Sequence, residues 1–184
     1  IRGGSGFTAR MMKRIRSDEG LTYGAYANLD FPVSMPGTFR ATFQSKSSTC
    51  AYATEIFYGL LRDMRAEPPT DEELRTSKAS FIETFPRRFA SAGQIAGLYA
   101  SDELLGRDHG YWTAYRDRVA AVSGEQVREA MTAALDPSTM IVLVVGNIAE
   151  ILQGHPEHAA KLGDFGEITR LPLRDPMTLE PIAE

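Results

Sequence analysis

The sequence predicts an α+β fold in which helices pack on one face of an antiparallel-rich sheet. Two short segments near the start alternate apolar and polar residues, as strands with one buried face do. Several helical segments follow, and then the apolar run 140–145 (MIVLVV) predicts a returning strand that is buried on both faces. Strands at both ends of a group of helices indicate helices layered on a single sheet.

The composition is typical of one folded domain and excludes several classes of function. The chain has 184 residues, of which 43% are hydrophobic and 24% are charged. A net charge of −4 argues against a nucleic-acid-binding surface, which needs clustered basic residues. The single cysteine, Cys50, excludes an internal disulfide. It does not indicate whether the protein works in an oxidising or a reducing cellular compartment. No apolar run reaches the roughly 18 residues of a membrane-spanning helix, and no signal peptide is visible.

The first predicted element is a short amphipathic helix that follows a glycine-rich start. Its apolar residues recur every four positions, and basic residues lie off that stripe. Ser5 is the expected N-cap. Gly20 is expected to end the helix in the left-handed conformation, which glycine adopts without a Cβ penalty. The apolar stripe consists of Phe7, Met11 and Ile15, and the basic residues are Arg10, Lys13 and Arg14.

Two strands are predicted after this helix. Tyr23 is expected to open the first strand, in which apolar residues alternate with polar ones up to Phe31. A turn-rich connection through Pro36 and Gly37 leads to a second alternating segment, residues 38–44. The short connection predicts that the two strands are antiparallel.

Arg16 and Tyr23 are the candidate functional pair. The predicted turn holds them close together, because one leaves the last helical turn and the other opens the strand. A guanidinium and a phenol can both donate hydrogen bonds to one oxygen, as an oxyanion-binding site requires. The alternative is structural: Arg16 would cap the helix C-terminus, which favours cations, and Tyr23 would pack in the sheet.

Three helices are predicted between the second strand and residue 106. The first, capped at Ser47 or Ser48, carries the best amphipathic stripe and stops at a double proline. A capping box of Thr70 and Glu73 begins the second, and residues 91–105 form the third, ended by a glycine. The first stripe consists of Ala53, Ile56, Phe57, Leu60, Leu61 and Met64, and the second helix is expected to bury Leu74, Phe81, Ile82 and Phe85.

The remaining elements are a helical pair, a short strand and a tail. Residues 110–122 carry aromatic side chains at helical spacing, which is typical of packing between helices rather than of a cofactor site. A second capping box, of Ser123 and Gln126, begins the next helix. Residues 165–171 are expected to form a last short strand. The domain therefore ends at residue 171, and the proline-bearing segment 172–184 is expected to be a tail.

The nearest approach to a metal motif is HPEH, between His155 and His158. It is one residue short of HxxEH, and Pro156 suits the first turn of a helix. Two histidines three residues apart can share a helix face, but Zn²⁺ needs a third protein ligand. We therefore predict no metal ligands in this chain. The opening glycines lack the lysine of a phosphate-binding loop and are expected to allow close backbone packing.

Residues 3–28 (GGSGFTARMMKRIRSDEGLTYGAYAN) resemble the second-domain motif of the pitrilysin/insulinase family of zinc peptidases. Insulin-degrading enzyme and mitochondrial processing peptidase belong to that family. The most specific feature is the spacing from Arg16 to Tyr23, and the similarity continues to about Arg170. The other matching elements are Gly3-Gly4, the segment from Ser5 to Arg10, PGTF from Pro36, TDEEL from Thr70, Phe85-Pro86 and residues 140–146.

The resemblance implies the metal-free, inactive second domain of such a peptidase, with its N-terminal part missing. The sequence begins with Ile1 rather than methionine, so we also expect that upstream residues have been lost. In that family, the pair that matches Arg16 and Tyr23 binds the substrate carbonyl next to the zinc. The zinc motif of the family, the inverzincin sequence HxxEH, lies in another domain and is absent from this sequence.

The implied activity is that of a zinc-dependent endopeptidase that hydrolyses peptides or unfolded segments, held as an added strand between two domains. Zinc on an HxxEH-bearing domain or partner subunit would lower the pKa of its bound water to roughly 7. This chain alone is expected to bind no zinc and to be inactive. The resemblance also favours a homo- or heterodimer and a periplasmic location in a bacterium.

Two alternatives stay open at this point. One is a non-catalytic structural or partner-activating subunit of the same family, in which loss of the arginine–tyrosine pair would be the expected signature. The pair is intact here. The other is a peptide-binding module with no connection to peptidases.

Overall fold

The computed structural model describes residues 6–30, 37–108 and 110–182, and it has the α+β architecture that the sequence predicts. The predicted N-cap Ser5, the strand end at Phe31 and the turn residue Pro36 lie outside the described residues. No helix in the described ranges is both long enough and apolar enough to cross a membrane.

The sheet has two strands, β1 (Ala25–Asp30) and β2 (Thr38–Phe43), which pair antiparallel as predicted. Ala27 lies opposite Ala41 in the register. Because side chains alternate across a strand, the odd-numbered residues of both strands share the face that packs on the helices. The sheet is therefore one layer of the fold and the helices are the other.

Most predicted helices are present with boundaries close to those expected. Gly106, at φ 60°, ends the helix that was predicted at residues 91–105, and both predicted capping boxes are formed. Such local signals specify helix ends because they satisfy backbone groups that the helix itself leaves unpaired. The helices are α1 (Phe7–Met11), which continues as the π-helix Met12–Asp18, α2 (Cys50–Ala66), α3 (Asp71–Thr84), α4 (Ala92–Leu105), α5 (Tyr115–Ala121), α6 (Gly124–Ala134) and α7 (Ile148–Gln153), with 3₁₀ turns at Ser47–Thr49, Phe85–Phe89, Pro137–Thr139 and Leu162–Phe165.

The core lies between α1, the π-helix, α2 and one face of the sheet. Met11, Ile15 and Leu61 are completely buried there, as their apolar stripes predict. Phe7 packs edge-on against Phe57 with 5.7 Å between ring centroids. Burial of each such large aliphatic side chain contributes about 1.5–3 kcal/mol, so the two helical stripes stabilise this region.

The predicted strand at residues 140–145 is wrong. These residues follow the 3₁₀ turn and pair with no strand in the described parts of the chain, and Ile141 is 94% exposed. The apolar, β-branched sequence favours a strand, but a strand also needs a neighbouring edge for its backbone groups. A groove separates these residues from β2.

Three smaller predictions also need correction. A 3₁₀ turn precedes α2, so neither Ser47 nor Ser48 caps it directly. Residues 165–171 form no strand, because the chain turns at Phe165, whose ring stacks on Tyr58 at 5.2 Å. The apolar side chains that α3 was expected to bury are half-buried; these are Leu74, Phe81, Ile82 and Phe85.

Candidate functional site

Arg16 lies in the last turn of the π-helix, on the side exposed to solvent. The wider π-helical turn is visible in the hydrogen bond from the Glu19 N–H to the Arg14 carbonyl, at 3.2 Å. Gly20 then adopts φ 64°, as predicted, and its N–H donates to the Arg16 carbonyl at 3.0 Å. π-helical segments are rare and are frequently found at functional sites.

Arg16 differs from the other basic residues of this helix. Lys13 and Arg14 both pair with Asp18, at 3.0 and 3.4 Å. Arg16 forms no ion pair and no side-chain hydrogen bond with any residue that the structure describes. Backbone N–H groups, rather than the guanidinium, satisfy the last carbonyls of the helix. The guanidinium donors of Arg16 are therefore available to an external acceptor.

Tyr23 lies at the apex of a bend, two residues before β1 begins. The prediction that it opens the strand is therefore wrong. The cause is Thr22, whose buried hydroxyl donates to the Gly24 carbonyl at 2.8 Å and accepts from the Gly24 N–H at 3.1 Å. These local bonds hold the backbone out of the ladder. The side chain of Tyr23 is 99% exposed, which excludes the alternative that it packs in the sheet.

Two side chains of the first helix attach it to β1 behind this bend. The Thr8 hydroxyl accepts from the Ala27 N–H and donates to the Ala27 carbonyl, both at 3.1 Å. The Met12 sulfur accepts from the Ala25 N–H at 3.2 Å. The helix and the strand that flank the bend are thus fixed to one another. That the guanidinium of Arg16 and the hydroxyl of Tyr23 converge on one oxygen atom of a substrate stays a prediction.

Sequence reasoning missed the two threonines, Thr8 and Thr22, that position the bend and the strand. Their hydroxyls bond to backbone groups at the edge of β1 and at its start. A threonine followed by Tyr-Gly is a recognisable local signal for a turn of this kind. The contact of Thr8 with β1, 19 residues along the chain, has no local signal.

A bidentate ion pair connects the helix that carries Arg16 to the rest of the helices. The Nε and Nη2 of Arg10 donate to the two carboxylate oxygens of Glu73, each at 2.7 Å. The hydrogen bonds from Arg10 lower the pKa of Glu73 to about 2. Glu73 also accepts from the backbone N–H of Thr70 in the capping box of α3. Arg10 is therefore a half-buried partner of α3 rather than part of a solvated basic face.

Comparison with known proteins is informative at the level of solved structures. No family model and no curated protein matches the sequence. The structure is similar to the crystal structure of a peptidase M16 inactive domain from Pseudomonas fluorescens, with a TM-score of 0.63 and 25% sequence identity. The match covers 74% of this chain and 32% of that chain.

The fold matches that of a peptidase M16 inactive domain. M16 is the classification name of the pitrilysin/insulinase peptidases. The structural match therefore points to the same family as the sequence resemblance of residues 3–28 does. This chain spans about a third of the length of the solved structure.

The two histidines of HPEH lie where they could not form a zinc site together with a third ligand. His158 stacks on the ring of Tyr52 at 3.7 Å, and Nδ1 of His155 accepts from the Glu157 N–H at 3.2 Å. No group of three histidine, cysteine, aspartate or glutamate side chains in the described ranges could hold a metal. The described residues therefore do not fit a zinc ion. Burial raises the pKa of the Cys50 thiol, which also disfavours a thiolate nucleophile there.

Proposed function

We propose that this chain is the substrate-binding, oxyanion-stabilising half of a zinc-dependent endopeptidase that hydrolyses peptides or unfolded segments. The observation that carries the proposal is the pair of exposed donors around one turn. Arg16 has no partner among the described residues, and Tyr23 is 99% exposed. Neither side chain contributes to the core, so the fold gives no structural reason for an arginine and a tyrosine at these positions.

The chemistry follows from the charge that develops during peptide hydrolysis. The carbonyl oxygen of the scissile bond gains negative charge as the bond is attacked, and hydrogen-bond donors aimed at that oxygen lower the barrier. Removal of one such donor costs about 10²–10³ in kcat. Tyr23 would supply one O–H, and Arg16 would supply a planar pair of N–H groups with a permanent charge.

The zinc ligands of the proposed enzyme lie on another domain or subunit that bears HxxEH. The solved structure that is similar to this chain is itself an inactive domain, which supports that division of labour. The exposed turn between the π-helix and β1 is the surface that must face the metal-bearing half. This chain would bind no zinc and hydrolyse no peptide by itself.

A second candidate function is a non-catalytic subunit that stabilises or activates a catalytic partner. The similarity to an inactive domain favours it as well. In that case the partner would need this chain for its fold or assembly, and the identity of residues 16 and 23 would not affect turnover.

Arginine-to-lysine substitution at matched positions separates the two candidates. In the full-length protein, or in the complex with its HxxEH-bearing partner, Arg16→Lys should lower kcat/KM for a quenched fluorescent peptide by about tenfold or more, because an ammonium cannot reproduce the planar fork. Arg14→Lys is the control, since Arg14 lies on the same helix and is already paired with Asp18. Equal activity of both variants and the wild type would favour the non-catalytic subunit.

A further inference from the structure

We propose that a surface built of stacked arginine and aromatic side chains binds an acidic segment of a separate polypeptide. This aromatic–arginine surface lies on the 3₁₀ turn after α3 and on the segment that runs from the end of α4 into α5. It shares no residue with the turn of Arg16 and Tyr23, so the proposal does not depend on the proposed function. The arginines of the surface are Arg88, Arg107, Arg116 and Arg118.

The rings of this surface form one connected cluster around Trp112. The centroid of the Trp112 ring lies within 6.3 Å of the centroid of each other ring, and closest to that of Tyr111, at 4.8 Å. The indole N–H donates to the carboxylate of Asp102, which is buried. Aromatic pairs attract one another at such distances, so the cluster is a fixed support for groups that stack on it. The other rings are Phe85, Phe89, Tyr111 and Tyr115.

The guanidinium groups stack on the faces of these rings. Arg88 lies over Trp112 and Tyr115, at 5.6 and 5.9 Å from their centroids. Arg118 lies over Tyr111 at 5.2 Å. A cation within about 6 Å of a ring centroid is attracted by the negative face of the ring. Stacking therefore holds each guanidinium in place, while the N–H groups that point outward in its plane stay available. The remaining stacks are Arg107 on Tyr111 at 5.0 Å and Arg116 on Phe85 at 5.3 Å.

Three of the four arginines have no carboxylate partner among the described residues. Arg107 is paired, since it donates to Asp102 at 3.0 Å. Arg88, Arg116 and Arg118 are exposed, and within the described ranges they form no ion pair and donate no side-chain hydrogen bond. These three groups are thus held by stacking while their donors are open to an external acceptor.

The acidic side chains next to these arginines do not supply that acceptor. Asp108 accepts from the N–H of Gly110 at 2.7 Å, within its own turn. Asp117 lies between Arg116 and Arg118 in α5 and pairs with neither, because successive residues of a helix point about 100° apart. The surface therefore keeps an excess of positive charge on a chain whose net charge is −4. An acidic ligand is not attracted to the chain as a whole, so its binding is confined to this surface.

The donor geometry favours carboxylates that are spaced along a chain. A guanidinium presents a planar fork of N–H groups that matches the two oxygens of a carboxylate. A single carboxylate can use only one of the forks, whereas a segment rich in glutamate or aspartate can use several at once. Guanidinium groups that stacking already holds lose less conformational freedom on binding. The ligand is therefore an acidic polypeptide segment rather than a small anion.

Single-stranded nucleic acid fits the surface less well. Proteins bind it by stacking bases on exposed aromatic faces as well as through basic side chains. Here guanidinium groups lie over the faces of Phe85, Tyr111 and Trp112, and the rings are half-buried. Bases would have to displace the same arginines that the phosphates need.

The test uses the purified chain, because its single tryptophan lies within the surface and reports binding directly. The probe is a decapeptide of alternating glutamate and glycine, and the neutral control has glutamine in place of glutamate. Tryptophan fluorescence and isothermal titration calorimetry follow the titration. We expect saturable binding of the acidic peptide with a Kd below about 1 mM at about 0.01 M salt. Binding should weaken at about 0.15 M salt, because the Debye length falls from about 30 Å to about 8 Å.

Three results of this titration would overturn the proposal. The first is absence of binding by both methods, and the second is equal binding of the glutamine peptide. The third is tighter binding of an oligothymidylate of the same length, which would make the surface a nucleic-acid site.

Charge-matched variants locate the binding surface. Arg88→Gln combined with Arg118→Gln removes two unpaired forks and leaves Asp102 with both of its partners. This double variant should bind the acidic peptide about tenfold more weakly. The control combines Arg40→Gln with Arg62→Gln, which removes the same charge from exposed arginines outside the surface. The control should bind like the wild type, and equal weakening in the two double variants would contradict a localised site.

Arg88→Lys separates recognition by the fork from attraction to charge. The variant keeps the charge but not the planar pair of donors, so the acidic peptide should bind about threefold more weakly. Circular dichroism and urea denaturation of the free variants check that the fold is intact. Wild-type affinity of Arg88→Lys would mean that charge alone attracts the peptide, and would overturn the proposed site.

Discussion

Two regions of the molecule are built on different physical principles. The packed unit, the described part of residues 7–66, has a core of aliphatic and aromatic side chains in which Leu61 is 0% exposed. The helical lobe, the described part of residues 71–121, has no fully buried apolar side chain. Its one buried residue is Asp102 in α4. The packed unit is therefore stabilised by apolar burial, and the helical lobe by polar and aromatic contacts.

The contacts of the helical lobe centre on one carboxylate and one set of rings. Asp102 accepts hydrogen bonds from Arg107, at 3.0 Å, and from the indole N–H of Trp112. Phe85 stacks on Tyr115 at 4.8 Å. Such ring pairs contribute about 0.5–1.5 kcal/mol each, which is less than a buried aliphatic core supplies. We therefore expect the helical lobe to open before the packed unit does.

The largest effect that the comparison predicts is at Leu61. Leu61→Ala should lower the free energy of unfolding by about 2–5 kcal/mol, because it leaves a cavity in the packed unit. Leu104→Ala is the control, since Leu104 lies in the helical lobe and is largely exposed; its effect should stay below about 0.5 kcal/mol. Urea denaturation followed by circular dichroism measures both. Similar losses in the two variants would contradict the contrast between the regions.

The next effect is at Asp102, within the helical lobe. Asp102→Asn replaces one acceptor oxygen by a donor, so either Arg107 or Trp112 loses its partner, at a cost of about 1–3 kcal/mol. Trp112 is the single tryptophan of the chain, and its fluorescence reports this lobe directly. We expect the fluorescence transition to shift to lower urea, while the circular dichroism transition, to which the helices of both regions contribute, shifts less. Asp117→Asn, at an exposed position of α5, is the control and should leave both transitions in place.

A smaller effect concerns the Arg10–Glu73 pair, which joins the two regions. The pKa of Glu73 is about 2 in the folded protein and has a reference value of 4.5. A lowered pKa means that the stabilisation is complete above pH 4.5 and is lost as the pH falls from about 4.5 to about 2. Since the pair is partly solvated, we expect it to add about 1 kcal/mol to the free energy of unfolding above pH 4.5. Stability measured against pH should show this loss in the wild type and not in Glu73→Gln; parallel curves would contradict the linkage.

Sequence reasoning succeeded where the signal is local. The capping boxes at Thr70 and Ser123 and the left-handed Gly20 depend on residues within one turn of the helix, so a single sequence contains the whole pattern. The stripes that contain Met11 and Leu61 are equally local, because helical periodicity places them on one face. The layer architecture followed from these elements.

Sequence reasoning failed where a partner is distant or a side chain overrides the pattern. Residues 140–145 were predicted to form a strand, but they pair with no strand among the described residues. Tyr23 continues the alternation of β1, but the hydroxyl of Thr22 bends the backbone before the ladder starts. The burial of Asp102 was missed, because the turn after α4 brings Arg107 and Trp112 onto it. The candidate pair, Arg16 and Tyr23, was predicted from its spacing together with the family resemblance, while the exposure of Tyr23 needed the structure.

The most direct test of the central claim, that Tyr23 serves chemistry rather than packing, is the turnover of Tyr23→Phe. The substitution removes one hydroxyl from a side chain that is 99% exposed, so the melting temperature should not change. In the full-length protein or the complex with the proposed HxxEH-bearing partner, the proposed function predicts that kcat falls by about 10²–10³, or about 2.7–4 kcal/mol, at unchanged zinc content. Wild-type turnover of this variant, or lost turnover together with a lower melting temperature, would contradict the oxyanion role.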